Sequence, residues 1–163
     1  MIRRHRWGRW LAKTRARSRL SGKAQEQGAR LLLEGGLATV AGHENGYYVQ
    51  PAMIEGSPDN VACREEIFGP VPYLMRFQNE AEAVELVNRS QYGLANSVWT
   101  TDPDRANRVA EQLAAGNSWI NAHNVFAHGV PYGGINLSGM GGGVLGPSTL
   151  FDYMRPLSVV RPK

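Results

Sequence analysis

The chain has 163 residues, enough for one ordinary domain with a buried apolar core. Hydrophobic residues make up 42% of it and charged residues 20%, which excludes an intrinsically disordered protein. No apolar run approaches the roughly 18 residues that a membrane helix needs, so we expect no membrane insertion. Cys63 is the only cysteine, which excludes an internal disulfide and leads us to expect a reducing, cytoplasmic location.

The positive charge is concentrated at the N-terminus. Residues 1–23, called the basic leader below, contain nine Lys or Arg and no acidic residue, whereas residues 24–163 carry a net charge of −5. The leader can be an arm that binds nucleic acid or an anionic membrane, or an organelle-targeting peptide. A displaced start or reading frame also produces such Arg-rich segments. We favour this last interpretation, so we expect a disordered or non-native leader and neither nucleic acid nor membrane as a partner.

The first part of the body predicts a short helix and several strands. The helix ends near Gly28 and is followed by an apolar strand at Arg30–Leu33. Residues 46–56 are strand-like but contain Pro51, which predicts either an edge strand or two short pieces. A mostly apolar strand is expected at Pro70–Phe77.

The middle of the chain alternates between strands and helices. Asn79 is a candidate N-cap with Glu82 at the third helical position, which is the pattern of a capping box. A strand around Ser97–Thr100 is followed by Asp102-Pro103, which predicts a helix start, and that helix should stop at Gly116. Another short strand follows. This alternation is typical of βαβ units and a parallel sheet.

Residues 122–150 have no periodicity, and so long a loop in a compact domain is usually functional or disordered. Within it Gly141, Gly143 and Gly146 match the G-x-G-x-x-G pattern of dinucleotide-binding loops. That fingerprint needs a strand before it and a helix directly after it, and neither is predicted here. We therefore expect a structural loop. The four histidines show no ligand spacing, so we predict no metal site.

Cys63 lies just before Glu65 and Glu66, which raises the possibility of a catalytic thiolate. A reactive thiolate needs a histidine partner or a helix N-terminus to lower its pKa, and neither is visible in the neighbouring sequence. We expect Cys63 to be a small packing residue.

Four blocks of the sequence resemble the C-terminal part of aldehyde dehydrogenases. They are EEIFGPV at 65–71, YGLANSVWTTD at 92–102, AGNSWIN at 115–121 and PYGGINLSGMG at 131–141. They follow the family's order and approximate spacing, and the resemblance runs from about Gly28 to the C-terminus. It implies an α/β fold, with an incomplete parallel βαβ sheet and a C-terminal oligomerisation-type strand. We set the leader at residues 1–23 and the partial catalytic domain at residues 24–163.

The resemblance implies NAD(P)-dependent oxidation of an aldehyde to a carboxylic acid through a covalent mechanism. The family's nucleophilic cysteine, general-base glutamate and Rossmann domain all precede the first block. We therefore expect a C-terminal fragment that is inactive alone and binds no NAD or NADP by itself. The alternative is a non-enzymatic truncated paralogue that pairs with full-length subunits. Either chain would form homo-oligomers or associate with full-length subunits.

Three residues acquire roles from this resemblance. Glu66 matches the carboxylate that holds the ribose hydroxyls on the nicotinamide side of the cofactor, and Phe68 matches the aromatic residue near the nicotinamide. Phe126 lies in the segment that matches the loop lining the aldehyde pocket. No catalytic residue is assigned, because Cys63 does not match the nucleophile. Gly142-Gly143 stands where the family often has Arg-Glu, which puts the usual contacts there in doubt.

Overall fold

The computed structural model describes residues 20–162 and divides into two compact units, with the boundary between Arg76 and Phe77. Residues 1–19, most of the basic leader, lie outside the described residues. The expectation that they are disordered falls on those residues and stays a prediction. The last residues of the leader belong to the first helix, which covers residues 20–26.

Unit 1 contains two helices and five strands among its described residues. They are α1 (20–26), β1 (Arg30–Leu33), β2 (Gly36–Ala38), β3 (Tyr48–Gln50), β4 (Met53–Glu55), α2 (Val61–Arg64) and β5 (Tyr73–Leu74). Strand β4 lies between β1, which is antiparallel to it, and β5, which is parallel. Strands β2 and β3 form a separate antiparallel pair. The strand-like run does break into two pieces around Pro51, because proline cannot donate a ladder hydrogen bond.

The core of unit 1 is small and brings α1, β4 and α2 together. Ala24, Ile54 and Ala62 are buried at its centre. The side chain of Asn60, also buried, links two of these elements. Its Nδ2 donates to the carbonyl of Ala24 at 2.9 Å, and its Oδ1 accepts from the N–H of Ala62 at 2.9 Å. Asn60 therefore caps α2 and ties it to the end of α1.

Within its described residues, unit 2 contains three helices and four strands. They are α3 (Glu80–Asn88), β6 (Tyr92–Gly93), β7 (Ala95–Val98), α4 (Pro103–Gln112), β8 (Asn117–Ile120), β9 (Ile135–Asn136) and α5 (Thr149–Asp152). Strands β7 and β8 pair in parallel, and α4 connects them, so the predicted βαβ unit is confirmed. Strands β6 and β9 form an antiparallel pair that the sequence did not indicate. The α/β class is confirmed, with the described strands arranged in small parallel and antiparallel sheets.

Both predicted helix starts in unit 2 are confirmed. Asn79 Oδ1 accepts from the N–H of Glu82 at 3.0 Å, and Asp102 Oδ1 accepts from the N–H of Arg105 at 3.1 Å. The capping box was wrong in one detail. The Glu82 carboxylate accepts from the N–H of Gln78 at 2.6 Å rather than from that of Asn79. Helix α4 ends at Gln112, earlier than the expected stop at Gly116.

Residues 154–162 belong to no helix or strand. The predicted C-terminal strand therefore has no partner within the described part of this chain. Leu157, Val159 and Val160 are each at least 78% exposed in this segment. A strand that completes another subunit's sheet has no ladder in a single chain, so its role stays a prediction. Within residues 20–162, none of the helices has the length and apolar character to span a membrane.

Candidate functional site

The first candidate segment is the Glu66 loop, residues 65–70, which leaves the C-terminal end of α2 in unit 1. Glu66 is exposed, and the ring of Phe68 is 73% exposed. Phe68 has φ of 42°, a left-handed conformation that is rare for a bulky residue and costs about 1–2 kcal/mol. A large apolar ring held outward in a strained backbone is typical of a ligand-contacting position.

The end of this loop is held by backbone hydrogen bonds. The N–H of Val71 donates to the carbonyl of Gly69 at 2.7 Å, and the N–H of Ala52 donates to the carbonyl of Pro70 at 3.0 Å. Ala52 directly precedes β4, so the loop is attached to the three-stranded sheet of unit 1. Glu66 and Phe68 lie two residues apart in one loop, as the sequence implied.

Cys63 lies on α2 and is half-buried. Its Sγ lies 3.3 Å from Sδ of Met75, a thioether that cannot serve as a general base. Tyr73 is a second neighbour. Burial is the main reason that the pKa of Tyr73 lies above its usual value, and the electrostatic effect of Cys63 is the smaller one. The hydroxyl of Tyr73 donates to the carbonyl of Ser57 at 2.9 Å. These surroundings support the interpretation of Cys63 as a packing residue.

The second candidate segment is an aromatic cluster in unit 2. Its members are Trp119, His123, Phe126 and Tyr132. The Phe126 ring is edge-on to Tyr132 at a centroid distance of 4.8 Å and edge-on to Trp119 at 6.0 Å. Trp119 also stacks on Tyr132 at 6.1 Å and meets His123 edge-on at 5.4 Å. Phe126 keeps 52% of its surface exposed, so the cluster presents an aromatic face to its surroundings.

Side-chain hydrogen bonds hold the Phe126 loop, residues 121–131, to β7 and β8. The amide of Asn121 donates to the carbonyl of Thr100 and accepts from its N–H, both at 2.9 Å, which continues the parallel ladder beyond its last backbone pair. Ser97 Oγ and His123 Nδ1 lie 2.9 Å apart. The loop therefore leaves the carboxyl end of parallel strands, where open α/β sheets commonly bind ligands.

The glycine-rich segment makes close backbone contacts within unit 2. A Cβ on Gly143 would overlap the carbonyl of Tyr132, because the next residue, Val144, forms an antiparallel bridge with Tyr132. The N–H of Gly143 is occupied by the carboxylate of Asp152 at 3.1 Å. The following helix, α5, has only four residues. These glycines allow close backbone approach, which supports the expected structural loop rather than a phosphate-binding one.

The family model described as "Aldehyde dehydrogenase family" matches residues 12–159. The chain belongs to the aldehyde dehydrogenase family. The resemblance recognised from the four sequence blocks is therefore confirmed. The match starts within the basic leader, earlier than those blocks indicated, so the boundary at residue 24 stays a prediction.

Relatives and solved structures agree with this assignment. A mitochondrial aldehyde dehydrogenase of Mesocricetus auratus is 42% identical over 118 residues, covering 72% of this chain and 23% of that protein. A betaine aldehyde dehydrogenase of Mesorhizobium japonicum is 39% identical over 121 residues, covering 74% and 25%. The crystal structure of a Staphylococcus aureus betaine aldehyde dehydrogenase with NAD⁺ aligns with a TM-score of 0.79 at 31% identity, covering 87% of this chain and 28% of that one. The chain thus spans about a quarter of the length of the curated relatives it matches.

Sequence reasoning named Phe126 in this member of the family but missed the residues around it. Trp119 and Tyr132 were part of the blocks at 115–121 and 131–141, and neither was assigned a role there. Their spacing along the chain does not indicate contact, since they come from β8 and from the approach to β9. Each of the last two blocks holds a single aromatic residue, so no signal of a cluster was present in the sequence. Among the described residues, no three His, Cys, Asp or Glu side chains are close enough to hold a metal ion.

Proposed function

We propose that this chain forms the C-terminal part of the catalytic domain of an NAD(P)-dependent aldehyde dehydrogenase, which oxidises an aldehyde to a carboxylic acid. The observation that carries the proposal is the family match over residues 12–159, which includes both candidate segments. We place the protein in the cytoplasm, because its single cysteine suits a reducing compartment.

The Glu66 loop contributes the contact to the nicotinamide side of the cofactor. An exposed carboxylate has two oxygens that can accept from two neighbouring ribose hydroxyls, so Glu66 fits this group. Phe68 offers an exposed ring against which a flat heterocycle packs. When bound, NAD(P) supplies the hydride acceptor. The Staphylococcus aureus relative solved in complex with NAD⁺ supports NAD as the cofactor.

The aromatic cluster contributes a wall of the aldehyde pocket. Its apolar rings favour the apolar part of a substrate, because burying that part removes it from water. We expect Phe126 to contact the substrate, since about half of its surface is exposed in unit 2.

The reacting groups come from outside this chain. Cys63 is the only thiol among the 163 residues, and its contact with Met75 favours a packing role. Without a nucleophile, a covalent enzyme loses most of its rate. The chain alone is therefore inactive, and it holds no cofactor alone, since Glu66 and Phe68 meet only one end of the dinucleotide.

A second candidate function is a non-enzymatic subunit that pairs with full-length aldehyde dehydrogenases. The exposed apolar side chains of Leu157, Val159 and Val160 favour it, because such a segment can add a strand to the edge of another sheet. Under either function we expect the protein to occur as a homo-oligomer or in association with full-length subunits.

The decisive experiment is complementation. The purified chain should produce no NADH or NADPH with any aldehyde and should show no NAD binding by calorimetry. Mixing it with the preceding three quarters of the Mesorhizobium japonicum betaine aldehyde dehydrogenase should restore oxidation. Activity of the chain alone that disappears in Cys63→Ala would identify Cys63 as a nucleophile and refute the proposal.

Two variants make the complementation specific. Glu66→Gln keeps the size of the side chain but removes its charge, and it should raise the KM for NAD about tenfold with little change in kcat, since charged hydrogen bonds are roughly twice as strong as neutral ones. Cys63→Ala is the matched control in the same unit and should restore activity as well as the unmodified chain does. A complex without activity would instead support the non-enzymatic subunit.

A further inference from the structure

The indole of Trp119 is the centre of the aromatic cluster. It contacts the rings of His123, Phe126 and Tyr132 at centroid distances of 5.4, 6.0 and 6.1 Å. Trp119 is itself held firmly, since it lies within β8 and pairs in register with Ser97 of β7. A rigid strand residue thus touches each of the other rings in the cluster.

The same indole also holds the backbone of the Phe126 loop. Its Nε1–H donates to the carbonyl of Val125 at 2.7 Å, one residue before Phe126. Trp119 therefore fixes both the chain beside Phe126 and one side of the Phe126 ring.

The loop needs such an attachment because its path turns through two left-handed residues. Asn121 has φ of 49° and Asn124 has φ of 56°. The Asn121 turn is fixed by its two hydrogen bonds to Thr100. Asn124 lies between two attachments to the sheet. On one side His123 Nδ1 lies 2.9 Å from Ser97 Oγ, and on the side of Phe126 the carbonyl of Val125 accepts from Trp119.

We propose that Trp119 is a positioning residue that sets which aldehydes fit the pocket, by holding Phe126 in place. That the substrates are aldehydes rests on the proposed function. The attachment of the loop by Trp119 is a property of this chain and can be tested without any activity.

The first test uses the purified full chain and NMR. In the unmodified protein, the Trp119 indole N–H should exchange with solvent at least tenfold more slowly than that of Trp99, whose side chain is 67% exposed. This measurement requires no substitution that could impair folding. Equal exchange rates for the two indoles would overturn the proposal.

Substitution then tests the consequence for Phe126. Trp119→Phe keeps a ring and removes the N–H donor, so the nuclear Overhauser contact between Phe126 and Tyr132 should be lost or strongly weakened. Trp99→Phe is the matched control in the same unit and should retain that contact. Retention of the contact in a folded Trp119→Phe protein would overturn the proposal.

The second test uses the complemented enzyme and compares a small with a bulky aldehyde. Trp119→Phe should change the ratio of the two kcat/KM values about tenfold, and it should have no further effect on that ratio in a Phe126→Ala background. An equal loss of kcat/KM for both aldehydes would show a structural role only and overturn the proposal. The same change in the ratio in the Phe126→Ala background would overturn it too. If complementation yields no activity, the proposed function fails, and the NMR results still decide the role of Trp119.

Discussion

The Glu66 loop and the Phe126 loop hold their candidate residues by different physical means. The Glu66 loop relies on its backbone, with hydrogen bonds at its end and Phe68 in a left-handed conformation. The Phe126 loop relies on side chains, through the amide of Asn121 and the indole of Trp119. The first arrangement stores strain in the folded chain, whereas the second adds contacts that substitution can remove. The two loops should therefore respond in opposite ways to loss of their aromatic residues.

The largest effect should come from breaking the support beneath the Glu66 loop. Asn60→Ala removes the cap of α2 and one of the two hydrogen bonds that the carbonyl of Ala24 accepts, the other coming from the N–H of Ala29. This should cost about 2 kcal/mol of unfolding free energy, because both lost hydrogen bonds lie in the core. Urea denaturation measures this change. The matched control is Asn88→Ala in unit 2, whose exposed side chain also makes two hydrogen bonds and should cost only about 1 kcal/mol. Equal losses would show that burial of Asn60 is unimportant.

The two candidate phenylalanines should differ in sign. Phe68→Gly relieves the left-handed strain and should raise the free energy of unfolding by about 1 kcal/mol, even though it removes the cofactor-side ring. Phe126→Ala loses its ring contacts with Tyr132 and Trp119 and should lower it by about 1 kcal/mol. Thermal unfolding of both variants provides the comparison. Destabilisation by Phe68→Gly would mean that contacts of the ring outweigh the backbone strain.

A stabilisation of similar size is expected within the strands that carry the Phe126 loop. Asn96 on β7 has a buried amide whose nitrogen and oxygen have no hydrogen-bond partner among the described residues. Asn96→Ala should therefore raise the free energy of unfolding by about 1 kcal/mol. Asn117→Ala is the control, since the nitrogen is the one atom of its amide that is buried without a hydrogen-bond partner among the described residues, and its gain should be smaller. Destabilisation by Asn96→Ala in a denaturant titration would show that this amide is satisfied.

The smallest effect concerns pH and the helix that connects β7 to β8. Hydrogen bonding by the N–H of Arg105 is the main reason that the pKa of Asp102 lies below its usual range. A lowered pKa contributes stability above the pKa of the unfolded chain, and that stability is lost as pH falls through the folded value. Asp102→Asn keeps a capping oxygen and should flatten the decline in melting temperature at acidic pH. An unchanged acid profile would contradict a role for the Asp102 charge.

Much of the local structure was readable before the tertiary structure was known. Asn79 and Asp102 were recognisable as helix caps, and Pro51 divided its strand, because each effect depends on neighbours within a few residues. The capping box was partly wrong because the Glu82 carboxylate accepts from the N–H of Gln78, one residue before the expected donor.

The family and the α/β class could be recognised from the sequence, and three ligand-contacting residues, Glu66, Phe68 and Phe126, were predicted from it. The folded structure was needed to show that β6 pairs with β9, that Asn60 joins α1 to α2, and that Trp119 and Tyr132 contact Phe126. The physical reason is distance along the chain. Caps, turns and alternating patterns are set by nearby residues, whereas pairing and ring contacts depend on which distant segments share a core.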